Sequence, residues 1–357
     1  MLNVLMIGPS LSDKGGIKSV VTNYLCSSLN EVIKIYYVET TIQRGYLYKI
    51  CKLISGLFYF VYHLCFKRIN VVHVHLAAYG SFYRKSLFIL IAKVFKKKII
   101  VHLHSGKFDI FYSRSNLMTK KYINCIFSLV DVVIILGKEE IEKVKKYGAR
   151  NIIVLPNAVN SPPHNLYITN KLKCYLTFLG RMKREKGIYD IIGIATDVIQ
   201  KYHNIKFLLA GSGEVDKVKK MIKERNLEEY FIVLDWIDGK EKEEILKKTL
   251  LFLLPSYHEG MPMAVLEAMS YGIPVITTNV GEIPSLIKNG YNGFMISPGD
   301  KQALKEKIIE LIEDDILRKK ISENAYFTIK NKFNIDMHIK RLVSIYKQLV
   351  YEHRRKI

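Results

Sequence analysis

Residues 250–278 read LLFLLPSYHEGMPMAVLEAMSYGIPVITT, and the order of residue types is that of strand, loop, helix and strand. The apolar run 250–254 lacks polar alternation, as a strand buried on both faces requires. Pro255 ends it. Gly260 and Pro262 delay the helix until after Glu259. A second apolar run, 274–278, follows the helix. Two such strands with a helix between them belong to a parallel sheet wrapped by helices.

The same alternation extends in both directions. Upstream in the same half, apolar runs occur at 175–179, 206–210 and 231–234; the first half carries its own series at 3–8, 33–38, 71–75, 99–104, 132–136 and 152–155. After Pro156 the stretch NAVNSPPHN clusters turn formers without periodicity and is the clearest linker. At 357 residues the chain is long enough for two domains. The expected architecture is therefore α/β, with two Rossmann-like doubly wound domains: residues 1–163, then 164–335, and a helix at 336–357 that crosses back to the first domain. The tail from Lys301 reads as helix, broken at 331–334.

Composition narrows the function classes. Hydrophobic residues make up 49% and charged residues 25%, as in a globular protein. The opening run MLNVLMIGPS reads as a strand, without the basic leader or cleavage pattern of a signal peptide. Five cysteines, none in a C-x-x-C pair, suggest neither a zinc site nor a disulfide framework, and fit a reducing cytosol. The net charge of +22 is uneven: residues 1–166 hold 23 Lys+Arg against 8 Asp+Glu, or +15, and the rest 32 against 25, or +7. Such a surface attracts phosphate in any form, although the lysine usage typical of an AT-rich genome would account for it equally well. Within the basic half, residues 46–69 interleave aromatic side chains with Lys49, Lys52, Lys67 and Arg68. The stretch is expected to be too interrupted to span a bilayer. An interfacial helix with a basic rim is one reading; a helix packed on the sheet is the other.

Candidate chemistry gathers where strands hand over to helices. Lys14-Gly15-Gly16 follows the first strand, and its glycines permit close backbone approach to an anion. Arg181 and Lys186, in FLGRMKREKG, put two cations at a strand's end; a guanidinium there can bind diphosphate oxygens bidentately while the lysine adds a point charge. Gly211-Ser212-Gly213-Glu214 makes a third turn, without the third glycine of a dinucleotide fingerprint, and a cap-and-turn role explains it as well. Glu259 is expected in the loop facing a cleft. Glu267 sits inside the following helix, where ribose hydroxyls would offset the cost of burying it. The amides around Met263 and Ala264 at the helix start could meet phosphates. His73 with His75, and His102 with His104, alternate on neighbouring strands, and His104 stands where the sheet opens. No carboxylate accompanies them at ligand spacing, and there is no D-x-D, so no metal or cofactor is expected.

In this order and spacing, the early Gly-Gly turn, HVH, HLHSG, LGR followed by KG, GSGE, the E-x7-E segment and NGYNGFMISPGD resemble glycosyltransferase family 4, the retaining enzymes of GT-B fold, over nearly the whole chain. Asp235 where a glycine is frequent, and Asn279-Val280-Gly281-Glu282 in place of a Gly-Gly turn, depart from that pattern. The resemblance implies that Arg181 and Lys186 hold the donor diphosphate and stabilise its departure. It implies that Glu267 binds ribose, that Glu259 orients the donor sugar, that His104 contacts the sugar, and that Gly16 lets its loop approach the phosphates. Gly211, Gly260, Met263 and Ala264 complete the implied nucleotide-sugar contacts. The expected reaction is metal-independent, retaining transfer of a hexosyl or N-acetylhexosaminyl group from a nucleotide diphosphate sugar, UDP-linked, to a lipid-linked or oligosaccharide acceptor. Its expected setting is cell-surface polysaccharide synthesis at the cytoplasmic face of the inner membrane. An epimerase or hydrolase of the same fold is the alternative. Nucleic-acid binding has only the charge in its favour, with no recognition signature.

Overall fold

The computed structural model describes residues 1–104, 106–169 and 173–354. It divides into two compact units, Met1–Asn157 with Ile335–Ile357, and Ala158–Asn334. Each is built on a six-stranded, all-parallel sheet flanked by helices.

In the first unit, β1 (Leu2–Gly8), β2 (Ile33–Glu39), β3 (Val71–Leu76), β4 (Lys98–Leu103), β5 (Val132–Ile135) and β6 (Ile152–Val154) lie in the order β2-β1-β3-β4-β5-β6. The chain steps one way from β1 to β2 and then returns to β3 on the other side, so the strand order reverses between β1 and β3. Every residue of β3 and β5 is buried, which is why these strands are continuous apolar runs apart from their histidines. The last helix, Ile335–Arg354, packs within this unit: Tyr346 meets His73, and His338 meets Tyr24 of the helix Gly16–Leu25.

The second unit repeats the plan. β7 (Tyr175–Leu179), β8 (Lys206–Ala210), β9 (Phe231–Leu234), β10 (Thr249–Leu254), β11 (Val275–Thr278) and β12 (Phe294–Ile296) lie in the order β12-β11-β10-β7-β8-β9. Here the order reverses between β7 and β10. β12 is absent from the sequence reading: three residues between an Asn-Gly turn and a Pro-Gly turn are too few to show a period.

The aromatic stretch of the first unit differs from its expectation. It is one unbroken 21-residue helix, Tyr46–Phe66, with a mean hydropathy of 1.3 over its most apolar window. Its only lysines, Lys49 and Lys52, fall in the first two turns, leaving 53–66 free of Asp, Glu, Lys and Arg. Length and composition would suffice to cross a bilayer. Packing ties one face to the sheet, however. Phe60 and Leu64 are buried in the core, and a Cβ at Gly56 would lie 2.6 Å from the Glu39 carbonyl oxygen, so the helix backbone rests directly on β2.

Candidate functional site

In an open parallel sheet, ligands bind beyond the strand ends where the order reverses. In the second unit that place lies beyond β7 and β10, and the loops leaving these strands carry Arg181, Lys186 and Glu259. Local geometry holds them there. The Gly180 amide bonds the Ala210 carbonyl at 3.0 Å, the Met182 amide bonds the Ser212 carbonyl at 2.7 Å, and the Glu214 amide returns to the Met182 carbonyl at 2.8 Å. The loops after β7 and β8 are thereby zipped together. Gly211 makes this possible: with φ at +159°, a Cβ there would lie 1.6 Å from the Gly180 carbonyl oxygen.

Beyond this zipper the chain makes a short 3-10 turn, Arg184–Lys186, closed by Gly187 in the left-handed region at φ +70°. A side chain at Gly187 would collide with the Pro255 carbonyl, 2.0 Å away. That close approach brings Lys186 against the loop following β10. Its Nζ lies 2.6 Å from Glu259 Oε1, which also accepts a 2.8 Å hydrogen bond from the Ser256 hydroxyl. The Glu259 side chain is 7% exposed and that of Lys186 28%. Glu259 is thus not a free loop carboxylate, as the sequence suggested. It is a nearly buried anion paired to one of the two expected diphosphate ligands. Arg181 stands exposed five positions before Lys186, just past the end of β7.

Helix Met263–Ser270 begins at Pro262 with no side-chain cap on its first amides. Nearly all of it is buried. Ala264 and Glu267 are its partly exposed positions and, three residues apart, share one face. Glu267 Oε1 accepts from Lys242 Nζ at 2.9 Å. Gly260 is half-buried and accepts at its carbonyl from the Glu282 amide at 2.9 Å. Gly281, at φ +57°, lets that second loop sit against the Glu259 carbonyl. Lys242 and Ser256 are missing from the sequence reading. Ser256 could have been found as the hydroxyl nearest Glu259 in its own loop. Lys242, 25 positions from Glu267 and on a different helix, gives no such signal.

In the first unit, Gly16 is exposed at the first turn of its helix, whose N-cap Gly15 has φ +147° and no capping side chain. The histidines form a stacked cluster across β3 and β4, with His75 opposite His102 in register. His73 Nδ1 contacts the Tyr346 hydroxyl at 2.5 Å, and His75 Nδ1 contacts His104 Nε2 at 2.8 Å. The Pro156 carbonyl accepts from His338 Nδ1 at 2.9 Å, which leaves His338 Nε2 to accept from Tyr24 at 2.6 Å. Burial lowers the pKa of His73 to about 3 and of His338 to about 4; it also holds His75, His102 and His104 well below the ordinary imidazole value. Both nitrogens of His102 and the Nε2 atoms of His73 and His75 find no hydrogen-bond partner among the described residues. These three rings place ligand atoms within 4.8 Å of one another, close enough to share a metal ion. The group includes no carboxylate or thiolate to offset a dication in an apolar core. His104 is partly exposed just past β4; Ser105 after it lies outside the described residues.

Residues 168–327 match the model of the family described as glycosyl transferases group 1. The match lies within the second unit, which thus resembles a group 1 glycosyltransferase domain. Individual proteins are similar over longer stretches. The chain is 29% identical over 233 residues to the capsular polysaccharide biosynthesis glycosyltransferase CapM of Staphylococcus aureus, covering 62% of this chain and 59% of that protein. It is 30% identical over 178 residues to the Escherichia coli UDP-Gal:alpha-D-GlcNAc-diphosphoundecaprenol alpha-1,3-galactosyltransferase, covering 49% and 45%. The chain spans about half the length of the curated relatives it matches. Solved structures share the fold over the full length. Sucrose-phosphate synthase of Thermosynechococcus elongatus superposes with a TM-score of 0.80 at 16% identity, over 99% of this chain and 100% of that one. HepE of Anabaena, solved in complex with UDP and glucose, superposes with a TM-score of 0.74 at 16% identity, over 98% and 100%. The chain has the paired Rossmann-like units of the GT-B fold.

Proposed function

We propose that the protein transfers a hexosyl or N-acetylhexosaminyl group from a UDP-linked donor to a lipid-linked or polysaccharide acceptor, with retention of configuration and without a metal ion. The setting is bacterial cell-surface polysaccharide synthesis on the cytoplasmic side. The observation that carries the reading is the pairing of Lys186 with Glu259 between the loops that leave β7 and β10, where the strand order reverses, in the region that matches the group 1 glycosyltransferase family. CapM and the E. coli galactosyltransferase support the acceptor class, and HepE with UDP supports the donor.

The chemistry follows from the charges. An oxocarbenium-like transition state throws negative charge onto the departing diphosphate, so fixed cations aimed at it lower the barrier. Arg181 offers a planar fork. Lys186 has three donors, of which Glu259 takes one, leaving two for phosphate oxygens. Glu259 therefore fixes the lysine while its own second oxygen remains for a sugar hydroxyl. Glu267, steadied by Lys242, holds ribose. The free amides at Met263 and Ala264 add partial positive charge for the diphosphate. The retained configuration follows from attack on the donor's leaving-group face, with the departing phosphate taking the acceptor proton.

Transfer from UDP-sugars to diphosphoundecaprenol-linked acceptors, with the anomeric configuration of the product read by NMR, tests this reading. Arg181→Ala should cut turnover by about a hundredfold or more, the equivalent of roughly 2.7–4 kcal/mol in the barrier. Excess chelator should change nothing. Near-normal turnover of the variant, or an inverted product, would count against the site. Free sugar or an epimerised donor formed without acceptor would favour a hydrolase or epimerase instead.

A further inference from the structure

The outward faces of two neighbouring helices in the first unit are apolar where a surface helix should be polar. On Tyr46–Phe66 the residues turned away from the sheet are Leu47, Ile54, Phe58, Tyr62 and Phe66, exposed by 75, 62, 70, 43 and 72%. Their spacing of seven, four, four and four makes one continuous stripe. Helix Gly80–Val94 repeats the pattern with Tyr83, Leu87, Leu90 and Val94, all exposed. Phe60 and Phe88, edge to face at 5.1 Å, lock the two helices side by side beneath these stripes. Of the 25 exposed large hydrophobic side chains among the described residues, 13 lie on these two helices. Two helices of 21 and 15 residues thus hold half of the exposed apolar groups, a concentration that scattered surface residues do not produce.

Charge identifies what covers them. Residues 40–108 contain twelve Lys or Arg and no Asp or Glu. Arg44 and Lys49 flank one end of the first helix and Lys67 with Arg68 the other, while Lys93 and Lys96 close the second; all six are exposed. A second copy of the chain laid on this face would set cation against cation. An anionic bilayer supplies the opposite charge at headgroup level and apolar depth just beneath, where Tyr and Phe side chains settle. The first helix cannot span that bilayer without stripping Phe60 and Leu64 from the core. We propose that helices Tyr46–Phe66 and Gly80–Val94 dock the first unit onto an anionic lipid surface, both lying in the interface plane with their apolar stripes immersed. The proposal is independent of the transfer reading, because its test measures binding and not turnover.

The test is flotation of the full chain with phosphatidylcholine vesicles, with and without phosphatidylglycerol, at low and high salt. Co-flotation should require phosphatidylglycerol and should weaken as salt rises. Both Leu47→Ser/Phe58→Ser and Lys67→Glu/Arg68→Glu should lower the bound fraction about tenfold or more at unchanged Tm, since all four side chains are exposed. A wild type that stays at the bottom with phosphatidylglycerol vesicles, or variants that float as it does, would overturn the proposal. So would a wild type that ignores vesicles but self-associates in sedimentation, with Leu47→Ser/Phe58→Ser monomeric; the stripes would then be a contact between copies.

Discussion

At the residue scale, the pairing of Lys186 with Glu259 changes what a single substitution reports. Read from sequence, the two residues have separate tasks, Lys186 at the diphosphate and Glu259 at the donor sugar. In the structure, Lys186→Ala strands a carboxylate that is 7% exposed and that, among the described residues, keeps the Ser256 hydroxyl. The expected loss is about 1–3 kcal/mol, below the cost of breaking a fully buried pair because Lys186 is partly exposed. Glu259→Gln should recover most of that stability in the double variant without restoring transfer. Thermal melts of the two single variants and the double variant check this; additive losses in Tm would mean that the pair is not coupled. The residue types here were legible in the sequence, because glycine, proline and charge cluster at the strand ends. Their partners were not. The Lys186–Glu259 contact depends on Gly187 admitting the Pro255 carbonyl, and the Lys242–Glu267 contact on two helices meeting in space.

At the scale of the element, β3 and β4 carry histidines into a core that excludes water. Neutral imidazoles tolerate that burial and imidazolium ions do not. Below the ordinary imidazole value of 6.5 the unfolded chain takes up protons that folded His73 and His338 refuse, down to about pH 3 and 4. The unfolded state then binds more protons, so stability falls as pH falls. Each histidine kept neutral contributes about 1.4 kcal/mol per pH unit across that window. Buried Lys85, which donates to the His75 carbonyl and whose pKa burial lowers to about 7, steepens the loss at its upper edge. Calorimetric scans between pH 7 and pH 4.5 should show the transition moving steadily down, and less steeply in His73→Phe. A transition that does not move would mean that the cluster takes up protons in place. The strands themselves were readable because each is a near-continuous apolar run. β12 was not, since three residues carry no period; the stretch 46–69 was legible as a helix, but not as an unbroken one whose two lysines, Lys49 and Lys52, both fall in its first two turns.

Across the whole molecule, one plan is used twice: a six-stranded parallel sheet, reversed in strand order once. That duplication was legible in the sequence as two series of apolar runs, and the turn-rich stretch after Pro156 marked where the first series ends. The two sheets nevertheless carry different chemistry. The first keeps its core histidines neutral and presents a basic, apolar outer surface, whereas the second collects paired charges at its strand ends. The central claim is that these ends bind a nucleoside diphosphate through Arg181 and Lys186. Titration calorimetry of UDP, GDP and ADP against the wild type and Arg181→Ala tests it most directly. UDP should bind the wild type, and the exposed-arginine variant should lose at least tenfold in affinity at unchanged Tm, the equivalent of about 1.4 kcal/mol. Failure of every nucleotide to bind at millimolar concentration, or equal UDP binding by the two proteins, would contradict it.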